Sequence, residues 1–298
     1  MTFRAVFPPM ATPFAGGEVD VAAIRRNVEK WMQTGLGGVV ALGSNGEAPL
    51  LDDDESDRVV GAARGAMSDR RTLIAGTGRE STRATIAASV RAARLGADAV
   101  LVRTPSYYKG RMTGDAFVRH YTAVADACPV PVLLYNYPAV TGVNLTADIV
   151  GRLAEHPNIA GVKETGSDTA QVAAFVDASN PEFAVIAGSV PTFYPSLCVG
   201  ARGGILAVAC VVPEICVLLF ELVRAGRHAE ARALQARLTP LARLVTAVHG
   251  VPGLKAAMDL VGLTGGEPRS PLGPAAPQAI AEIRAHLIQL QSHTAVNQ

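Results

Sequence analysis

Cysteine, lysine and long apolar runs are scarce in this 298-residue chain, and each scarcity closes off a class of function. The four cysteines, Cys128, Cys198, Cys210 and Cys216, form no Cys-x-x-Cys pair and stand at no metal-type spacing to a histidine. A disulfide framework or a zinc site has no basis here, and the four read as reduced core residues. The six histidines, at positions 120, 156, 228, 249, 286 and 293, show neither His-x-His nor His-x-x-x-His, so no metal is expected. The longest apolar stretch, 205–220, is broken by Pro213-Glu214 and is too short on either side to span a bilayer. Before the strand-like segment 4–10 there is no basic, apolar pattern of an export signal, and a cytoplasmic location is expected. Charge imbalance is absent as well. Lys+Arg total 27 against Asp+Glu 26, so no field selects nucleic acid or an anionic membrane, and a small-molecule ligand fits better.

What the chain does have is alternation. Short apolar or β-branched runs, near 5–10, 38–42, 72–75, 97–102, 132–135, 159–163, 183–187 and 204–208, are separated by longer segments of helical period. The runs lack polar alternation, so each suits a strand buried on both faces of a parallel sheet. Eight such units, in a length that one barrel of roughly 250 residues plus extra helices would fill, predict an α/β fold of the (β/α)₈ TIM-barrel type. Asp52 with Glu55 offers a capping box, and Ser81 and Thr146 are expected to cap the helices that follow them. After the eighth run, 213–224, 227–248, 252–260 and 277–291 read as helices with no strand between them. The expected organisation is a catalytic barrel over 1–224 and a C-terminal helical extension over 225–298, with a Gly- and Pro-rich loop at 264–277.

Barrels of this kind carry their chemistry where strands stop, at the C-terminal face. Lysine occurs only at 30, 109, 163 and 255, leaving 23 of the 27 basic residues as arginine. Lys163 alone ends an apolar strand, Ile159-Ala-Gly-Val162, where desolvation would lower an ammonium pKa and free the amine to attack a carbonyl. A lysine there could equally snorkel to solvent or pair with Glu164. Tyr135 lies 28 residues earlier, one βα unit, so its phenol ends the adjacent strand and could move the protons that Schiff-base formation requires. A core tyrosine tied to backbone is the competing reading. The turn Gly43-Ser44-Asn45-Gly46-Glu47 leads from a strand into a helix. Its N–H groups make a seat for a carboxylate, with Ser44 and Asn45 as added donors and Glu47 as a brace for the loop. It lacks a phosphate-binding signature. Tyr107-Tyr108 reads first as a pair of interface aromatics, with members of a proton relay or a loop anchor as the other readings.

Taken together these residues resemble the dihydrodipicolinate synthase and N-acetylneuraminate lyase superfamily over essentially the whole length. The marks are Pro-Pro-Met-Ala-Thr-Pro-Phe over 8–14, the 43–47 turn, Thr104-Pro105 followed by tyrosines, Tyr135-Asn-Tyr-Pro138 with Thr141-Gly142, Gly161-Val-Lys163-Glu164 and Ala187-Gly188-Ser189. The resemblance implies a pyruvate-dependent barrel, a homotetramer built from tight dimers, with no cofactor beyond the covalent imine on Lys163. Lys163 matches the Schiff-base lysine, Tyr135 the general acid/base, Ser44 the hydroxyl relay and Tyr107 a relay tyrosine often lent across the dimer. Asn45, Thr165 and Gly188 match positions lining the 2-oxo acid site. The synthases are similar to Gly-Thr-Thr-Gly-Glu at the turn and carry an arginine where Val140 stands, and an apolar Val140 cannot make that charge-assisted pair. The Gly-Ser-Asn-Gly-Glu turn, the 107–112 run and Val251-Pro-Gly-Leu-Lys255 resemble 4-hydroxy-2-oxoglutarate aldolase instead. Expected alternatives are dihydrodipicolinate synthesis, another 2-oxo acid aldolase or hydratase, and a non-enzymatic 2-oxo acid sensor.

Overall fold

A computed structural model describes residues 3–68 and 70–295; the side chain of His293 and residues 296–298 of the expected extension lie outside it. Eight parallel strands run in chain order around a TIM barrel: β1 Val6–Phe7, β2 Gly38–Ala41, β3 Thr72–Gly76, β4 Ala99–Arg103, β5 Val132–Asn136, β6 Ile159–Glu164, β7 Ala184–Ala187 and β8 Gly203–Ile205. From β2 to β8 each strand pairs with its neighbour in sequence, and β8 pairs with β1. The ring closes between β1 and β2, where Gly37 N–H donates to Val6 O at 3.0 Å and Met10 N–H donates to Val40 O at 2.9 Å. Pro8 and Pro9 lack an N–H, so β1 stops short of the run over 5–10 while Pro8 O still accepts from Val40 N at 3.0 Å.

Period-two alternation sorts the strand residues into two cores. Phe3, Phe7, Val40, Ile74, Leu101, Leu133, Tyr135, Ile186 and Ile205 fill the barrel interior. Their neighbours Val39, Ala41, Leu73, Val100, Val102, Leu134, Val162 and Val185 face outward and pack under the helices. Both faces are therefore buried, which is why the runs read as continuously apolar. The helices take their expected places. Asp53–Gly65 begins with the full Asp52/Glu55 capping box, and Ser81 Oγ accepts from Ala84 N at 3.1 Å. Thr146 precedes its helix without a side-chain cap, a correction to the sequence reading.

Other departures are local. Cys128, Cys210 and Cys216 are core residues, but Cys198 is exposed, because it closes the short helix Phe193–Cys198 on the outer surface. A small antiparallel hairpin, Phe14–Ala15 with Glu18–Val19, turns through Gly16 and Gly17 at positive φ and was not foreseen. The helix expected over 227–248 is His228–Arg243 followed by a π turn, Leu244–Val248, with Pro240 inside it. Gly250–Leu260 and Pro277–Ala295 complete the C-terminal helices. Among the described residues no helix is long and apolar enough to cross a membrane.

Candidate active site

The site begins with strand register. Arg103 of β4 stands opposite Tyr135 of β5, Tyr135 opposite Lys163 of β6, and Lys163 opposite Ile186 of β7. All four have inward parity, so they form one layer at the C-terminal end of the barrel. Gly161, two residues before Lys163, lets β6 and β7 close up beneath this layer: a Cβ there would fall 2.3 Å from Ala184 O.

Lys163 is buried, at 4% exposure, and no carboxylate of the described residues pairs with it. Its Nζ lies 4.1 Å from the centre of the Tyr135 ring. The ring face favours the ammonium, by about 2 kcal/mol for a desolvated pair. Desolvation outweighs that attraction and brings the pKa down to about 7. The competing readings of Lys163 fail on geometry. It does not snorkel, and Glu164 faces the other way, its carboxylate taken by Asn136 Nδ2 at 2.6 Å, Gln171 Nε2 at 3.0 Å and Gly166 N at 2.5 Å. Burial raises the pKa of that carboxyl.

Lys255 makes the instructive contrast. It is a second buried lysine, on helix Gly250–Leu260, and its Nζ sits 2.6 Å from Glu47 Oε1 with both side chains closed to solvent. The contact is one of charge rather than a well-aligned hydrogen bond, since that oxygen has no hydrogen-bond partner of good angle. Lys255 also donates to Glu267 O at 2.8 Å. Burial lowers its pKa against the pull of Glu47. Glu47 thus braces the turn, as expected. Held by Lys255 and by Arg269 N–H at 2.7 Å, it stays at φ 56 between the 3₁₀ turns Ser44–Gly46 and Ala48–Leu50.

That brace presents Ser44, whose Oγ lies 3.3 Å from the Tyr135 hydroxyl. Tyr135 is buried and stacks on Tyr137, with ring centres 5.9 Å apart. Burial pushes its pKa up to about 12, against smaller lowering by Ser44 and Thr165. Thr165 Oγ1 is close enough to be felt by the phenol yet makes no hydrogen bond of good geometry. Gly188 borders the same space: a Cβ would fall 2.2 Å from Thr165 Oγ1, so a side chain there would displace the threonine. Lys163, Tyr135, Ser44, Thr165 and Gly188 are therefore brought together, with Asn45 half-buried beside Ser44 in its turn.

Two expected residues stand apart. Val140, on the short helix Pro138–Thr141, is 64% exposed, and Tyr107 is 78% exposed on a surface loop. Tyr107 is edge-to-face with Tyr108, while its backbone N–H is tied to Glu80 Oε2 at 2.8 Å. Sequence reading missed Arg79, Glu80 and Arg103, which line a cavity of about 260 Å³ together with Gly43, Ser44 and Tyr135. The signal is present in the sequence: Arg103 ends an apolar strand as Lys163 does, one residue beyond the run expected over 97–102.

Comparison with known proteins agrees with this geometry. The model of the dihydrodipicolinate synthetase family matches residues 2–290. A 4-hydroxy-tetrahydrodipicolinate synthase of Methanoculleus marisnigri is 35% identical over 274 residues, 91% of this chain and 93% of the relative. A probable mitochondrial 4-hydroxy-2-oxoglutarate aldolase of Emericella nidulans is 38% identical over 283 residues, 93% of this chain and 91% of the relative. Among solved structures, the 4-hydroxy-tetrahydrodipicolinate synthase of Methylacidiphilum fumariolicum superposes with a TM-score of 0.94 at 32% identity, covering 99% of this chain and 98% of that one. With one buried unpaired lysine in a parallel barrel and a family match over nearly its full length, the chain belongs to the dihydrodipicolinate synthetase family and is an aldolase-type lyase.

Proposed function

We propose that this enzyme is a class I aldolase that cleaves 4-hydroxy-2-oxoglutarate to pyruvate and glyoxylate through an imine on Lys163. The observation that carries the reading is a buried, unpaired amine held to a pKa of about 7 beside a buried phenol. At neutral pH much of that amine is uncharged and nucleophilic. Its Nζ adds to the C2 carbonyl, and the carbinolamine loses its hydroxyl as water, taking a proton from Tyr135. The phenolate left behind lies against a cationic imine among largely buried side chains, which favours it despite its high resting pKa.

The phenolate then removes the 4-hydroxyl proton as C3–C4 breaks. The bonding pair passes into the imine to give an enamine, and glyoxylate leaves. Protonation of the enamine at C3 and addition of water to the imine release pyruvate and restore Lys163. Ser44, within reach of the phenol, is the relay toward solvent, and the N–H groups of residues 44–46 with Thr165 and Gly188 seat the substrate's C1 carboxylate. The exposed Tyr107 would complete the relay from a second copy of the chain, in a tetramer of tight dimers.

Dihydrodipicolinate synthesis from pyruvate and aspartate semialdehyde keeps the same imine, and similarity to the Methanoculleus synthase favours it. An uncharged, outward Val140 and the Ser44-Asn45 pair favour the aldolase. Pyruvate release from 4-hydroxy-2-oxoglutarate, compared with consumption of pyruvate plus aspartate semialdehyde, separates the two. The aldolase reading predicts the larger kcat/KM for cleavage, and far better turnover of aspartate semialdehyde would overturn it.

A further inference from the structure

We propose that Arg103 forms a carboxylate subsite in the cavity beside Tyr135 and takes the distal carboxylate of a five-carbon 2-oxo dicarboxylic acid held as an imine on Lys163. The inference rests on the Schiff-base reading above and names the substrate class for that site.

Arg103 reaches the site by register. It lies one strand from Tyr135 and two from Lys163, about 10 Å across the barrel layer at ordinary strand spacing. A side chain of inward parity there points over the same mouth, and Arg103 lines the cavity that Ser44 and Tyr135 also line. Gly78 makes room for its stem: a Cβ at that position would fall 2.7 Å from Arg103 Cγ.

The guanidinium is positioned and still has donors to give. One nitrogen, Nη1, is held by Glu80 Oε1 at 2.8 Å, and Glu80 is itself fixed by the N–H groups of Ser106 and Tyr107, each at 2.8 Å. Among the described residues nothing hydrogen-bonds Nη2 or Nε, so a second carboxylate can be received without breaking the first pair. Arg79 lines the same cavity but has its own carboxylate, Asp53, with Nη2 at 3.3 Å from Oδ1, so Arg103 is the guanidinium held there by Glu80. Leu42, Leu51 and Leu101 supply apolar wall, which strengthens a charge pair formed there. The turn after β5, where Val140 stands 64% exposed, offers that carboxylate no arginine of its own.

The test uses two 2-oxo acids of equal length, 2-oxoglutarate and 2-oxopentanoate, which differ only in whether the distal end is a carboxylate or a methyl. Each is reduced onto Lys163 with borohydride, pyruvate serving as the control, and the concentration giving half-maximal mass addition is read by mass spectrometry. The unaltered protein is expected to require about tenfold less 2-oxoglutarate than 2-oxopentanoate. Arg103→Val should raise the 2-oxoglutarate requirement about tenfold and leave pyruvate and 2-oxopentanoate unchanged, with Arg103→Lys recovering part of the loss. Normal pyruvate trapping in a variant reports an intact barrel, and the comparison within the unaltered protein decides the matter if neither variant folds. Equal requirements for the two acids in that protein, or a common shift of both in Arg103→Val, would overturn the subsite; the common shift would mean that Arg103 acts only through Glu80 and the Tyr107 loop. Failure of pyruvate to add mass at Lys163 is a different result, and it removes the Schiff-base reading itself.

Discussion

At the scale of single residues, what distinguishes Lys163 is a missing partner. Two lysines are buried in this barrel, and both feel a desolvation cost that disfavours the ammonium. Lys255 has the Glu47 carboxylate 2.6 Å away, whereas Lys163 has only an aromatic face. The sign of the resulting pH dependence follows. Below pH 7 Lys163 is protonated in both folded and unfolded chains, and its burial is a full cost to stability. Between about 7 and its ordinary value of 10.5 the folded form holds the amine uncharged while the unfolded chain keeps its proton, so that cost is relieved as pH rises. The rate of pyruvate trapping by borohydride is accordingly expected to climb as pH rises through about 7 and then to level. A trapping rate that stayed flat from pH 5.5 to 8.5 would contradict the depressed pKa.

At the scale of elements, the C-terminal helices do more than cover the barrel. Helix Gly250–Leu260 carries Lys255 to Glu47, and Arg269 adds its N–H to the same carboxylate and its guanidinium to Glu55, so the 43–47 turn is clamped from outside. The turn also hangs from the barrel, through Thr12 Oγ1 donating to Gly46 O at 2.7 Å. Removing one side of the Lys255–Glu47 pair leaves a buried charge alone, which typically costs about 3–5 kcal/mol. Lys255→Met is therefore expected to lower the unfolding free energy by that order in urea titration. Adding Glu47→Gln to it should recover much of the loss. A single variant as stable as the unaltered chain would show that the pair does not hold the turn.

The capping box at Asp52 was legible because both partners lie within one turn of helix. The Lys255–Glu47 clamp was not, since 208 residues of chain separate a pair that only the closed barrel brings together.

At the scale of the whole molecule, the proposed relay is incomplete in one chain. Tyr107 and Tyr108 are 78% and 71% exposed, an edge-to-face pair on a loop pinned by Glu80. If a second copy supplies Tyr107, two inactive variants should complement each other. Mixing Tyr107→Phe with Lys163→Ala, after dissociation and reassembly, should restore up to about a quarter of wild-type sites, because half the dimers are mixed and each mixed dimer has one intact site. Activity no greater than the sum of the separate variants would place Tyr107 outside the chemistry. Sedimentation of the unaltered protein gives the assembly state on which this depends.

The eight βα units, the barrel they close into and the candidacy of Lys163, Tyr135 and the 43–47 turn are legible in the amino-acid order alone. These rest on period, local capping and strand-end position, which short stretches of chain carry in full. Tertiary structure decided which buried cation stays unpaired, that Glu164 turns away from Lys163 toward Asn136, and that Arg103 shares a layer with Tyr135. Those outcomes depend on inter-strand register and on contacts between distant segments. A shift of one residue in any strand would reverse which side chains face the barrel, and no local pattern fixes that choice.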